Sequence, residues 1–231
     1  MEQRDHILKM LRDKSVMKQE VYRNTIDVFE SIREIIKEVS NDLQHEISKT
    51  DKRVTLSFTS RGEHEIELKV AGDILVFYMH TNVFEFDKSH PMYKTSYIKN
   101  NENNSYCGII YIYNFLSDSF KFNRLGDMGY LIGRIFINRE MKFFMESRPP
   151  IGYKFSSFSH EPIARDTLIE IIYDLIIYAV SFDLFTPPFE LVKEITVNEI
   201  VERVNSNSLK TGKRLGYRFS AESEDPPQFE L

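Results

Sequence analysis

The densest group of side chains that could do chemistry lies between positions 80 and 90 and consists of His80, Glu85, Asp87 and His90. Imidazole and carboxylate groups bind zinc, iron and manganese, and a catalytic metal needs about three such ligands plus an open position. The spacing matches no established metal motif, and in an unbroken strand Glu85 and Asp87 point away from the face that carries His80. We therefore expect solvated polar groups at a strand end, assign no cofactor and no metal ligands, and keep a metal-dependent, hydrolase-like enzyme that uses His80, Asp87 and His90 as an alternative.

Cys107 is the only cysteine of the chain. A cysteine can act as a nucleophile when a nearby base or positive charge activates it. Here it precedes a segment rich in Ile and Tyr, which favours a buried, unreactive thiol. A single cysteine also excludes an internal disulfide and fits a reducing compartment. Because the charged N-terminus shows no signal segment, we expect a cytoplasmic protein.

The segment Lys210-Thr211-Gly212-Lys213-Arg214 shares a Gly-Lys pair with phosphate-binding loops. Such a loop needs an earlier glycine, where this chain has Asn207, and a Ser or Thr where it has Arg214. The segment is therefore not a phosphate-binding loop.

A basic patch at residues 210–218 remains as an alternative function. Basic side chains next to aromatic ones can hold single-stranded nucleic acid. Its basic residues are Lys210, Lys213, Arg214 and Arg218, and Tyr217 and Phe219 flank the last of them. The net charge of −5 disfavours nucleic acid as a partner, so a solvated strand end is the preferred interpretation.

Two further sets of residues have simple structural interpretations. The glycines are Gly126, Gly129 and Gly133, which suit turns and close strand packing better than a dinucleotide loop. The acidic residues are Asp166, Glu170 and Asp174, whose spacing predicts a solvated helix face rather than a catalytic carboxylate pair.

The composition is that of a globular protein, with 42% hydrophobic and 28% charged residues. The 18 Phe and 12 Tyr residues are numerous enough to line an apolar ligand pocket. Filling the core between a curved sheet and helices is the preferred interpretation.

Residues 3–50 are expected to be helical. From Val16 to Ile47 the apolar residues follow one face of a helix about 48 Å long. A domain of this size is roughly 45 Å across, so the helix spans the fold, kinks or projects from it. The period drifts from seven residues toward 3.6, which favours packing on a globular core over a short dimeric coiled coil.

Residues 53–147 are expected to form the sheet. Alternating apolar residues predict strands at 54–59 and 65–70, and a more fully buried strand follows at 74–79; short turns join the three into an antiparallel meander with one solvated face. A fourth strand at 83–86, a weak one at 93–98 and one at 108–116 follow. Two hairpins complete the sheet, the first pairing 108–116 with 120–122 and the second pairing 130–137 with 141–145 across Asn138-Arg139-Glu140.

Residues 160–206 are expected to be helical again. Ser159 and Pro162 are typical of a helix start, and Pro187-Pro188 ends that helix. Its apolar face covers more than half of the circumference. Thr196 and Glu199 have the spacing of a capping box that opens a last helix to about residue 204. A closing strand at 215–219 and an acidic, disordered tail at 221–231 complete the expectations.

These patterns predict one α+β domain over residues 1–220, with a long N-terminal helix, about seven mostly antiparallel strands and two C-terminal helices. The apolar circumference at 167–184 needs a second covering surface, which predicts a homodimer unless the N-terminal helix covers it within one chain. With no nucleophile–base, metal or phosphate-loop signature, we expect a non-enzymatic binding or interaction module.

Overall fold

The computed structural model describes residues 2–184 and 186–206. It confirms the α+β class. An N-terminal helical region is followed by a seven-stranded antiparallel sheet and by further helices. The predicted strand at 215–219, the basic patch at 210–218 and the tail at 221–231 lie outside the described residues, and the domain boundaries stay a prediction.

The N-terminal region consists of α1 (Glu2–Met10), a π-helical turn (Leu11–Ser15) and α2 (Val16–Ser48). The predicted apolar stripe of α2 is buried from Met17 to Val39 inside the chain's own core, which confirms core packing and excludes α2 as the seam of a coiled coil. No residue of α1 or of the π-helical turn is buried, so this end of the long helix projects from the core.

The sheet has the strand order β1-β2-β3-β5-β6-β7, and the short β4 pairs with β5. The strands are β1 (Leu56–Ser60), β2 (Glu65–Val70), β3 (Asp73–Met79), β4 (Phe84–Glu85), β5 (Tyr106–Leu116), β6 (Tyr130–Ile137) and β7 (Phe143–Ser147). All pairings are antiparallel, which confirms the predicted meander at 56–79 and the hairpin of β6 with β7.

Two predicted strands are wrong. Residues 91–100 form a 3-10 turn (Pro91–Lys94) and α3 (Ser96–Asn100), because the Thr95 side chain caps the Ile98 N–H and starts a helix. Phe120 and Lys121 belong to α4 (Ser117–Lys121) and Phe122 is its C-cap, and the strands that pair with β5 are β3, β4 and β6. A second 3-10 turn, Glu102–Ser105, leads into β5.

The C-terminal part comprises α5 (Ile151–Lys154), α6 (Arg165–Val180), α7 (Phe189–Val192) and α8 (Val197–Ser206). Helix α6 is shorter at both ends than predicted, since residues 159–164 precede it in non-helical conformation and it ends before the proline pair. The capping box of α8 is confirmed, because the Glu199 N–H donates to Thr196 Oγ1 and the Thr196 N–H donates to Glu199 Oε2.

The inner face of the sheet packs on α2 and α6 around one large apolar core. The outer face is only partly covered. The segment between β4 and β5 packs over the Ile109, Phe136 and Phe144 side chains through Met92 and Ile98. Further along the outer face, Tyr78 of β3 is exposed, whereas Phe115 near the end of β5 packs against Phe120 at 5.3 Å between ring centroids.

Candidate functional site

The His80–His90 region forms local contacts rather than one site. The Asp87 carboxylate accepts hydrogen bonds from the Ser89 N–H and hydroxyl, which lower the Asp87 pKa. His80 Nδ1 accepts from the Asn82 N–H, and its ring packs edge-on against Phe84 at 4.7 Å. Both groups therefore stabilise turns around β4.

His90 has both ring nitrogens engaged. Its Nδ1 accepts from the Met92 N–H at 3.3 Å, which leaves the proton of the neutral ring on Nε2. Nε2 lies 3.1 Å from Oε1 of Glu146, while Arg134 Nε donates to Oε2 of that carboxylate at 2.6 Å. Phe86 stacks on the imidazole at 4.5 Å. His90 therefore fastens the segment after β4 to the outer face of the sheet.

Residues 2–184 and 186–206 bring no three His, Cys, Asp or Glu side chains together as a set that could hold a metal ion. The polar residues at 80–90 instead have protein partners. This arrangement gives no support to the hydrolase-like alternative through His80, Asp87 and His90.

Cys107 lies on β5 and is 1% exposed, beneath the segment that covers the outer face. Burial raises the pKa of its thiol well above the ordinary value. A neutral thiol without access to solvent is a poor nucleophile, so the structural interpretation of Cys107 is the one that its surroundings favour.

The glycines and the acidic strip also take structural positions. A Cβ at Gly129 would lie 2.2 Å from the Phe115 ring, and one at Gly133 would lie 2.4 Å from Met145 Cε, so both glycines permit close packing. Glu170 and Asp174 both pair with Lys154 of α5 on an exposed helix face. Gly126 and Asp166 are exposed.

A polar and aromatic network joins β4 to the N-terminal helices. Tyr106 donates to Glu85 Oε2 at 2.7 Å, and Tyr93 donates to Oε1 at 3.3 Å. The hydrogen bond from Tyr106 is the main cause that lowers the pKa of Glu85. Lys14 of the π-helical turn lies over the Tyr106 ring, 5.3 Å from its centroid. The network holds the base of the projecting helix against the sheet.

The strand register places one row of side chains across five strands of the outer face. Glu65 of β2 lies opposite Tyr78 of β3, Tyr78 opposite Tyr111 of β5, Tyr111 opposite Arg134 of β6, and Arg134 opposite Glu146 of β7. The residues are far apart in the sequence, and only the pairing of β3 with β5 brings the two tyrosines together. Sequence spacing alone did not reveal this row.

Four aromatic rings stand side by side on this face, and we call them the outer-face ladder: Tyr78, Tyr111, Tyr113 and Phe115. Their successive ring centroids are 6.4, 6.1 and 6.5 Å apart. Tyr78 is 39% exposed, and the other three are half-buried. A sheet face turned to water usually carries polar side chains at such positions, as β2 does, so the ladder departs from the solvated face that the sequence predicted.

The loop between α4 and β6 carries two exposed apolar side chains. Leu125 is 88% exposed and Met128 is 76% exposed. The base of the loop is fixed, since Asp127 accepts from the Ser119 hydroxyl at 2.6 Å and pairs with Arg124 at 3.0 Å. The exposed Leu125 and Met128 side chains are therefore carried by a loop whose conformation is fixed by hydrogen bonds. The sequence does contain one indication of the outer-face ladder. In β5 the apolar residues occupy both of the alternating faces, whereas a strand with one solvated face needs them on one face only.

A second apolar surface lies on the C-terminal helices. The sequence predicted that the apolar circumference of α6 needs a second covering surface. Within the chain, α2 and the sheet cover one side of α6. Along the other side runs a row that we call the α6 stripe: Tyr173, Ile177, Val180 and, past the helix end, Leu184. These side chains are 40–62% exposed. Helix α8 also exposes Val197, Ile200 and Val201.

The described residues contain no helix that is both long and apolar enough to cross a membrane. Comparisons of the chain with protein-family models, with curated proteins and with solved structures find no match. The fold and its surfaces define the chain as an α+β protein with an antiparallel sheet, covered on one face by two helices and open on part of the other.

Proposed function

We propose that the protein is a non-enzymatic interaction module that binds a protein partner through the outer-face ladder and works as a homodimer. The observation that carries the proposal is the ladder itself, a row of four aromatic rings on the outer face in which Tyr78 is 39% exposed and the other three rings are half-buried. Large exposed apolar patches are typical of interaction sites. Two surface depressions, one lined by residues of the projecting helix and one by Glu85 to Lys88, are open and lined largely by charged side chains, unlike the enclosed and mostly apolar pockets that hold small ligands.

The composition of this surface favours a protein partner. Protein interfaces are enriched in Tyr, Phe, Met and Arg, and depleted of Lys and Glu at their centre. The ladder supplies three tyrosines and one phenylalanine, and Arg134 of β6 lies opposite Tyr111. Tyrosine combines a large apolar area with few rotatable bonds, so it binds at a low cost in entropy.

The test compares partner binding by three tagged full-length proteins in the cells that naturally produce the chain. Wild type is compared with a Tyr78→Ser/Tyr113→Ser variant and with a control, Ser57→Ala/Thr59→Ala, on the exposed outer side of β1. We expect one protein to copurify with wild type and control and to be lost from the ladder variant, with all three folded by circular dichroism. Equal recovery by all three would contradict the proposal.

The homodimer is supported by the α6 stripe. On α6 the exposed side chains of Tyr173, Ile177 and Val180 follow at spacings of four and three residues and form one face, and such a face is stabilised when a second surface covers it. We expect light scattering to give about twice the 27.3 kDa chain mass for wild type and for the control Asp166→Ala. An Ile177→Glu variant is expected to give the mass of one chain. A wild-type protein of 27.3 kDa at high micromolar concentration would overturn the homodimer.

The compartment is part of the same proposal. A free, buried thiol at Cys107 is the state that a reducing environment maintains, which supports the cytoplasm. The two alternatives stay predictions with direct tests. Elemental analysis tests for a metal bound through His80, Asp87 and His90, and a salt-dependent shift of a single-stranded oligonucleotide tests the basic patch at 210–218.

A further inference from the structure

The exposed end of the outer-face ladder lies next to a carboxylate without a partner. Glu65 of β2 lies directly opposite Tyr78 of β3, so the two side chains stand side by side on the outer face. The Met79 N–H donates to the His64 carbonyl, which makes Glu65 and Tyr78 a non-hydrogen-bonded pair, the closer kind in an antiparallel sheet. The Glu65 carboxylate has no hydrogen bond and no ion pair among the described residues. Tyr78 is the most exposed ring of the ladder.

The basic side chains of this face do not neutralise Glu65. Arg61 pairs with Glu67 at 2.6 Å. Arg134, toward the other side of the row, pairs at 2.6 Å with the carboxylate opposite it on β7. Lys69 lies four residues from Glu65 along β2, a distance of about 13 Å that is too long for an ion pair. The Tyr78 end of the ladder therefore carries an uncompensated negative charge beside an aromatic ring.

A carboxylate next to an exposed aromatic ring is suited to recognise a basic side chain. The face of the ring attracts a cation, and the carboxylate balances its charge. Arginine fits this pair best, because its planar guanidinium group can stack on a ring while it donates hydrogen bonds to a carboxylate. Arginine is also enriched among the residues that contribute most to protein interfaces. Charged pairs at the rim of an interface select the partner and speed its association.

We infer that the protein partner places an arginine side chain against Tyr78 and Glu65, at the exposed end of the ladder. The guanidinium group stacks on the Tyr78 ring and donates to the Glu65 carboxylate, while apolar side chains of the partner contact the rest of the ladder. This inference rests on the proposed function and names the chemical group that selects the partner.

Two short peptides test the inference on the full-length protein. They are Ac-Gly-Leu-Arg-Leu-Gly-NH2 and the same peptide with citrulline, which has the shape of arginine without its charge. Amide shifts in NMR spectra of the isotope-labelled protein at low ionic strength give the affinity of each peptide and the surface it contacts. We expect the arginine peptide to shift the signals of Glu65, Tyr78 and Tyr111 and to bind about fivefold more tightly than the citrulline peptide. Glu65→Gln is expected to remove this difference, and the control Glu2→Gln, on the projecting helix, to retain it.

The other results overturn the inference. Equal affinities of the two peptides, shifts confined to another surface, or no shift at all would show that Tyr78 and Glu65 do not select arginine. Partner recovery from cells separates this failure from a failure of the proposed function, since Glu65→Lys is expected to lose the partner. A partner that Glu65→Lys retains and Tyr78→Ser/Tyr113→Ser loses would refute the arginine contact but leave the ladder as the binding surface. A partner that both variants retain would refute both.

Discussion

Thr25 of α2 and Gly108 of β5 lie so close together that a Cβ added at position 108 would be 1.9 Å from the Thr25 hydroxyl oxygen. Thr25 is fully buried, and its hydroxyl donates to the Val21 carbonyl one turn earlier, at 2.7 Å. The long helix thus crosses the sheet at a position where the strand has no side chain. This contact sets how closely α2 approaches β5.

Gly108→Ala is expected to destabilise the protein by about 1–3 kcal/mol, because the new methyl group must push α2 away from the sheet. Chemical denaturation measures the free energy of unfolding. Gly72→Ala is the matched control, since a Cβ there meets nothing within 4 Å. Equal stabilities of the two variants would contradict the close contact.

Asn114→Val is expected to stabilise the protein by about 1–3 kcal/mol. Asn114 is fully buried on β5, and neither its side-chain oxygen nor its nitrogen has a hydrogen-bond partner among the described residues. Valine removes the buried amide and suits a strand. Thermal and chemical unfolding both measure the change. A loss of stability would mean that the amide has a partner, such as a buried water molecule.

Asn138→Ala is expected to lower the free energy of unfolding by about 1–3 kcal/mol. The Asn138 Oδ1 accepts from the N–H groups of Glu140 and Lys142, and its Nδ2 donates to the Tyr97 hydroxyl at 2.8 Å. The side chain therefore holds the turn between β6 and β7 to the α3 segment. Asn41→Ala, on the exposed side of α2, should show no such loss, and similar stabilities for both variants would contradict this role.

Glu85→Gln tests the network around Tyr106 through its pH dependence. The folded-state pKa of Glu85 is lowered, so the ionised carboxylate adds stability above its unfolded pKa of about 4.3, and this stability is lost as the pH falls through the folded value. We expect the melting temperature of wild type to exceed that of Glu85→Gln at pH 7, and the difference to shrink as the pH falls from the unfolded pKa through the folded one. Glu2→Gln controls for the loss of one carboxyl group, and a gap that does not change with pH would contradict the network.

Much of the fold followed from local patterns, whereas the surface did not. The 3.6-residue period predicted α2, alternation predicted β1 and β2, β-branched and aromatic enrichment predicted β6, and Thr196 with Glu199 predicted the start of α8. The strand predictions for residues 93–98 and 120–122 were wrong, because helix caps and turns overrode the preference of aromatic residues for strands.

The outer-face ladder depends on strand register, which no local pattern contains. Tyr78 and Tyr111 meet because β3 pairs with β5, while β4 between them joins the far end of β5. Aromatic residues were expected to fill the core, and Phe29, Phe77 and Phe144 do so. Which aromatic side chains stay at the surface is decided by what covers each face, and that cover comes from segments distant in sequence.

The central claim is that the outer-face ladder contacts a protein partner, and site-specific photo-crosslinking tests it most directly. Benzoylphenylalanine replaces Tyr113 in the ladder or, as a control, Lys37 on the exposed side of α2, and the cells that naturally produce the chain are irradiated. The account predicts one discrete crosslinked adduct from position 113, absent from position 37 and lost when Tyr78→Ser is added. No adduct from position 113, or the same adduct from both positions, would contradict it.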